Sequence, residues 1–276
     1  MDTTAAGCHI HYHAVGSGSP VVLLHGGTID AACVSWPPVV EALAGDYRVV
    51  APDLLGYGES ELADGPYSIS RHATVIAAFL DELGLGPVTL AGVSLGGGVA
   101  IQLAFDRPDL VSALVPIDAF GLGRALPNGL LSYALARFQL PNRLTVAALR
   151  RSRRFTRASL GGVVHDLGSL SPSAVNAVYR ELQRPTAGEA FRRFRSAEVT
   201  RAGYRTTFTD RFQKLSVPTY VLHGAHDDLF PVSWARRAAR RIPDAELRVL
   251  DDCAHWAPRE RPSAVASSVE RAISDA

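Results

Sequence analysis

The sequence predicts an α/β protein whose mostly parallel sheet carries helices on both faces and is interrupted by a block of helices. Three observations carry that prediction. Short apolar runs alternate with helix-periodic segments over 1–120 and again over 215–276. The stretch 121–214 between them has helical spacing and no convincing strand. A turn, Gly92-Val93-Ser94-Leu95-Gly96, joins an apolar run directly to a helix-like one. With 276 residues, 47% of them hydrophobic, the chain has enough material for one large core.

Taken in order, 8–15 alternates in character and ends at Gly16-Ser17-Gly18-Ser19-Pro20, as an early edge strand entering a turn would. The runs 21–24 and 47–51 are continuous and apolar, which marks buried strands; the first closes on His25-Gly26-Gly27 and the second on Pro52-Asp53. Between them, 36–44 has helical spacing with Ser35 as N-cap and prolines in its first turn. A glycine-rich loop, 55–60, leads to a helix over 70–83 stopped by Gly84 and Gly86. The strand into Ser94, a helix over 97–105 and a strand over 110–117 complete the first block.

Inside 121–214, one helix follows Ser171 with Pro172 at its first position, and another follows Thr186 with Glu189 completing a capping box. The rhythm returns with a strand at 219–222, a helix over 233–241, a strand over 246–250 and a final helix after Pro262. An insertion that leaves a parallel sheet near the carboxyl ends of its strands lies over the usual ligand crevice, so it is expected to act as a lid.

Composition narrows the setting. A net charge of +1 gives no sequence-wide reason to expect nucleic acid or an anionic membrane as partner. The three cysteines, Cys8, Cys33 and Cys253, are far apart and form no CxxC pair, so neither a disulfide framework nor a cysteine zinc site is indicated. The start, Met1-Asp2-Thr3-Thr4, lacks the blocks of a signal peptide, and no run of ~18 apolar residues could span a bilayer. The expectation is a cytoplasmic protein with a small-molecule substrate, compatible with a homodimer. His9, His11 and His13 share one face of a strand, a spacing able to bind metal, but an exposed strand face with no carboxylate nearby is the preferred reading.

The turn at Ser94 suits a nucleophile. Glycines two residues to either side let neighbouring elements approach a sharply bent backbone, and the helix behind it aims free N–H groups at any negative charge forming there. A chance GxSxG arises in roughly one chain in ten of this length, so the pentapeptide needs partners. Acyl transfer at serine requires a base, a carboxylate to orient it and donors for the oxyanion. His223-Gly224-Ala225-His226-Asp227-Asp228 follows one strand end and Asp251-Asp252-Cys253-Ala254-His255-Trp256 another, both on the sheet edge that carries Ser94.

Over essentially its whole length the chain resembles the α/β-hydrolase superfamily. The resemblance rests on His11-Tyr12 through Gly16, Gly18 and Pro20 into Val21-Val22-Leu23-Leu24-His25-Gly26-Gly27; on Pro52-Asp53 with Gly56-Tyr57-Gly58-Glu59-Ser60; on the serine turn; on Gly224, Asp227 and Pro231; and on His255-Trp256 with Glu260 and Pro262. It implies an eight-stranded sheet with a helical lid, Ser94 as nucleophile, His255 as base and Asp227 as orienting acid. It implies an oxyanion hole from the N–H groups of Leu95 and of Gly27 or Thr28, and no cofactor. Asp228 is then a rim residue, Asp251 and Asp252 loop caps, and His25, His223 and Asp53 structural.

Thr28, Val93, Phe120, Phe138 and Trp256 are expected against the substrate, while most of Leu122, Leu126, Tyr133 and Phe155 should form lid core. Arg137, Arg143, Arg150, Arg151, Arg153, Arg154 and Arg157 read as a solvated basic face. An arginine pairing with a substrate carboxylate would be sought at Arg180, Arg192 or Arg193.

Serine at 94 argues against the dehalogenases and epoxide hydrolases of the superfamily, which need a carboxylate there. Carboxylic esters and lactones are the default substrates, with cofactor-free perhydrolysis a further option. The runner-up is a carbon–carbon bond hydrolase of the kind acting on aromatic ring-cleavage products, suggested by Gly26-Gly27, by 119–123 and by His255-Trp256. That group usually has Asn before the serine and a longer glycine run; this chain has Val93 and Thr28-Ile29-Asp30. A ligand receptor with vestigial hydrolysis is the reading from another class, and an intact Ser, Asp and His set speaks against it.

Overall fold

The computed structural model describes residues 1–127 and 129–276, with side chains described except at 135, 137 and 139–143. The first block contains β1 (Asp2–Ala5), β2 (Cys8–Val15), β3 (Pro20–Leu24), α1 (Ala32–Ser35), α2 (Pro37–Leu43), β4 (Arg48–Pro52), α3 (Ile69–Glu82), β5 (Val88–Val93), α4 (Leu95–Asp106) and β6 (Val111–Ile117). Then come α5 (Leu130–Arg137), α6 (Gln139–Leu149), α7 (Arg153–Ser159), α8 (Pro172–Gln183), α9 (Glu189–Glu198), β7 (Val199–Thr200) and β8 (Gly203–Tyr204). The last block is β9 (Thr219–Gly224), α10 (Val232–Ala239), β10 (Ala245–Leu250), α11 (Ala257–Glu260) and α12 (Pro262–Ser274).

Eight strands form one sheet in the order β1-β2-β4-β3-β5-β6-β9-β10. The pairings β1 with β2 and β2 with β4 are antiparallel; those from β4 through β10 are parallel. The inner strands β3, β4, β5, β6 and β9 are buried on both faces, which is why they read as continuous apolar runs. Along β3, Val22 and Leu24 join a core with α3 and α4, while Val21 and Leu23 join the opposite core with α2 and α12. A third cluster, built from Leu160, Val164, Leu170, Val175, Val178 and Leu182, ties the insertion to Val34 and Trp256. No helix among the described residues is long and apolar enough to cross a membrane.

Several local expectations are corrected. The polar strand β1 was not foreseen; it pairs with β2 through a two-residue turn at Ala6 and Gly7, whose φ values of 49° and 76° suit the twist of a tight hairpin. It also supplies the carboxylate missing from the histidine reading: Asp2 Oδ1 lies 3.1 Å from His9 Nε2 and 3.0 Å from His11 Nδ1. Ser35 caps no helix, because its hydroxyl donates to Asp30 and accepts from Trp256 instead. Ser171 does cap α8, accepting from Ala174 N at 3.2 Å. The capping box at Thr186 does not form. Gly188, at φ 79°, precedes α9, and the Glu189 carboxylate turns to Arg192 and Arg193. The insertion also holds one antiparallel pair, β7 with β8, too short at two residues each to leave a readable period.

Candidate active site

The six parallel strands end on one edge, and each is followed there by a loop that carries polar residues. Strand β5 runs straight into Ser94, whose φ of 53° and ψ of −115° put a non-glycine residue in a disfavoured region, and α4 begins at the next residue. Such a conformation costs on the order of 1–3 kcal/mol and survives only where surroundings hold it. Here Ser94 N donates to Ile117 O at 2.9 Å, and Ser94 O accepts from Phe120 N at 2.9 Å and Gly98 N at 3.1 Å. The flanking glycines are required by contact: a Cβ on Gly92 would sit 2.4 Å from Gly96 O, and one on Gly96 would sit 2.3 Å from Leu24 O.

After β9, Asp227 is buried and its Oδ1 accepts from Leu229 N at 2.7 Å and Phe230 N at 3.0 Å. Its Oδ2 lies 2.7 Å from Nδ1 of His255, which follows β10. Burial alone would raise the Asp227 pKa, but the hydrogen bond and charge of His255, with Phe230 N–H and His223, hold it below the ordinary value. The carboxylate is therefore ionised and committed to the imidazole. The His255 backbone N donates to Val163 O at 3.1 Å, and its ring meets Phe230 edge-on at 5.2 Å. Ser94 and His255 line the same cavity, and no hydrogen bond joins their side chains.

Sequence reasoning missed a second acid behind this pair. Asp118, at the end of β6 with φ 43°, is fully buried, and its Oδ1 accepts from Gly224 N at 2.8 Å. Burial, reinforced by the charge of Asp227, raises its pKa well above the ordinary carboxyl range. Between the two aspartates lies His223, whose pKa burial lowers; its Nε2 donates to Phe230 O at 2.8 Å. Asp118, His223 and Asp227 are the group of metal-ligand side chains that converge within 4.8 Å among the described residues. The contacts of Asp227 with His255 and of His223 with Phe230 engage two of the three. The sequence signal was an aspartate placed directly after a strand on the same edge.

Leu95 N, at the first turn of α4, and Gly27 N, after β3, donate to no acceptor among the described residues. Thr28 holds φ 63°, unusual for a β-branched residue. The loop is fixed from behind. Buried Asp30 accepts from Gly26 N at 2.7 Å, Ala31 N at 2.8 Å and the Ser35 hydroxyl at 2.8 Å, and Ser35 accepts from Trp256 Nε1 at 2.8 Å. Trp256, beside His255, thus braces the loop that presents Gly27. His25 bonds Leu54 N, and Asp53 accepts from Ala32 N and Glu59 N, so both stabilise loops as read from the sequence. Asp228, Asp251 and Asp252 are exposed.

These residues open onto a cavity of about 600 Å³ under the insertion. Gly27, Thr28, Val93, Ser94, Leu95, Phe120, His255 and Trp256 line it; Asp227 lies behind His255. Phe138 does not line it. Its side chain is 65% exposed, because it sits at the junction of α5 and α6 rather than on a face turned inward. Phe155 is likewise exposed, whereas Leu126 joins the lining and Leu122 the core. Of the basic residues, Arg137 and Arg143 lie outside the described side chains. Arg150 is not simply solvated, since its guanidinium donates to Leu182 O and Arg184 O.

None of the three arginines proposed for a substrate carboxylate is available in the cavity. Arg180 is exposed, and Arg192 and Arg193 pair with Glu189. The cavity wall instead includes Arg195, with Phe191 and Phe194 of the same helix, and Tyr204 and Phe230. The sequence carried a signal: Ala190, Phe191, Phe194 and Arg195 recur at helical spacing on one side of α9.

The profile of the alpha/beta hydrolase fold matches residues 19–262. A 2-hydroxy-6-oxo-2,4-heptadienoate hydrolase of Pseudomonas putida is 29% identical over 93% of this chain and 90% of its own. An uncharacterised protein of Mycobacterium bovis is 31% identical over 97% of this chain and 79% of its own. Among solved structures, a meta-cleavage product hydrolase from Pseudomonas fluorescens aligns at a TM-score of 0.83 with 25% identity, covering 100% of this chain and 97% of that one. A thermophilic esterase from Thermogutta terrifontis aligns at 0.79 with 26% identity, covering 100% and 98%. The eight-stranded sheet, its helices on both faces and these matches agree: the chain belongs to the alpha/beta hydrolase fold family.

Proposed function

We propose that the protein is a serine hydrolase cleaving a small, largely apolar carboxylic ester or lactone through a Ser94–His255–Asp227 triad and an acyl-enzyme. The observation that carries this reading is the 2.7 Å contact of buried, ionised Asp227 with His255, on the cavity that also receives strained Ser94 at the start of α4. His255 takes the Ser94 proton as the hydroxyl oxygen attacks the carbonyl carbon, and Asp227 stabilises the imidazolium. The N–H groups of Leu95 and Gly27 hold the developing oxyanion, aided by the α4 dipole. The leaving alcohol accepts the proton from His255; water, deprotonated by the same base, then attacks the acyl carbon, and His255 returns that proton to Ser94 Oγ as the acid leaves. The helices over the cavity act as a lid that limits water around the reacting carbonyl.

A second reading is hydrolysis of a carbon–carbon bond in a diketo acid of the meta-cleavage type. The names of relatives such as the heptadienoate hydrolase favour it. Val93 weighs against it, since an apolar side chain beside Ser94 offers no hydrogen bond to a charged dienolate.

The test is turnover of p-nitrophenyl butyrate followed from the first milliseconds. The expected result is a burst of one p-nitrophenol per Ser94, absent in Ser94→Ala, whose steady-state rate falls by at least about 10⁴-fold while its Tm stays within about 2 °C. Retained turnover in Ser94→Ala would remove the covalent mechanism. Tight ligand binding without turnover by the wild type would favour a receptor instead.

A further inference from the structure

Helix α9 carries three arginines close to the cavity, and two of them are ion-paired. Arg192 pairs with Glu189, and Arg193 bonds Glu189 at 3.0 Å and Ala63 O at 2.9 Å. Arg195 has no carboxylate within ion-pair distance among the described residues. The acid best placed by sequence is Glu198, one turn further on, and it is spent elsewhere: its two oxygens accept from Ile69 N at 2.9 Å and Thr206 N at 3.0 Å. The Arg195 guanidinium stands 5.9 Å from the Phe191 ring and lines the cavity. Across the described lining it is the one lysine or arginine.

A second uncommitted donor stands beside it. Tyr204 lines the same wall, packed on Phe120 at 4.8 Å, and its hydroxyl makes no hydrogen bond among the described residues. The two are near enough to feel each other's charge. Burial pushes the Tyr204 phenol up to about 12, with Arg195 opposing, so at neutral pH it keeps its proton and can donate. Burial likewise draws the Arg195 pKa down, which registers how little solvates that charge. A cation and a phenol held without acceptors in a mostly apolar wall are costly unless a ligand supplies the acceptor. A planar guanidinium fork with an adjacent O–H matches the two oxygens of a carboxylate.

We propose that Arg195 and Tyr204 form a subsite for a carboxylate carried by the substrate, so that acyl chains ending in an acid group are preferred over neutral ones. This rests on the serine-hydrolase reading and assigns its substrate class. The subsite makes and breaks no bond; it fixes one end of the substrate so that the carbonyl is presented to Ser94.

The test compares two matched esters at pH 7, p-nitrophenyl hexanoate and mono-p-nitrophenyl adipate. The wild type is expected to favour the adipate in kcat/KM by at least about 10-fold. Arg195→Met should lower that preference by about 10- to 100-fold, mostly through KM, with Arg195→Lys recovering part of it and Tyr204→Phe lowering it by about 5-fold. A preference unchanged in Arg195→Met, or a wild type that favours the hexanoate, overturns the subsite. If neither ester is turned over, the hydrolase reading fails, and adipate titrated calorimetrically into Ser94→Ala still decides the subsite. Binding that Arg195→Met abolishes in that background supports it. Binding that survives the substitution, or no binding at all, overturns it.

Discussion

The sheet edge and the helical insertion build one cavity by different means. At the edge, position is set by backbone. Ser94 is held by hydrogen bonds from its own N and O, Asp227 by the N–H groups of Leu229 and Phe230, and Gly27 by a loop whose Gly26 N is anchored on Asp30. In the insertion, position is set by side-chain packing. Phe194 meets Phe120 at 5.2 Å, and the Phe191 ring would sit 3.0 Å from a Cβ on Gly27. Backbone placement tolerates almost no drift and suits the reacting groups. Packed side chains can be exchanged without disturbing the strands, and that suits the groups that choose a substrate.

If the division is sound, the largest losses of activity come from edge residues that leave stability nearly intact. Asp227→Asn keeps the shape and most backbone contacts but removes the charge facing His255, so kcat/KM for p-nitrophenyl butyrate should fall by about 10³- to 10⁴-fold. Circular dichroism and Tm would verify that the fold persists. A loss under about 10-fold would mean that another carboxylate orients the base, with Asp118 the first to examine.

Stability should separate two phenylalanines that the sequence treated alike. Phe120 is 2% exposed and joins sheet edge to insertion, so Phe120→Ala should cost about 3–5 kcal/mol in urea unfolding. Exposed Phe138 should cost within about 0.5 kcal/mol on the same change and leave kcat/KM unaltered. Comparable costs at the two positions would erase the distinction between a packed wall and a solvated insertion surface.

The smallest effect concerns the buried acids. Because the folded-state pKa of Asp118 lies above its unfolded value, folding binds a proton there, and the contribution of Asp118 to stability falls as pH rises above about 4. Asp118→Asn keeps an oxygen for Gly224 N–H without that penalty. Its Tm should match the wild type near pH 4 and exceed it by about 2–4 °C at pH 7. A variant less stable at pH 7 would show that the Asp118 carboxyl is ionised.

The edge was legible in the sequence because its requirements are local. Gly92 and Gly96 flank Ser94 because a Cβ at either would strike backbone, and Asp227 follows the apolar run of β9 while His255 follows β10, which shows itself by alternation. Buried parallel strands betray themselves by composition, and β1, polar and at the edge, did not. The insertion was legible as helices but not as a surface. Which way Phe138 or Arg195 points depends on how α5 to α9 pack on one another, and periodicity within one helix does not fix that. Asp118 and Asp30 went unread for the same reason: each matters through partners far along the chain, Gly224 for one and, through Ser35, Trp256 for the other.

The most direct measurement is the rate and site of phosphonylation by a fluorophosphonate, read by intact mass and peptide mapping in the wild type and in His255→Gln. The account predicts a single adduct on Ser94 that forms at least about 100-fold more slowly without the imidazole. An adduct on any other residue, or equal rates in the two proteins, would contradict it.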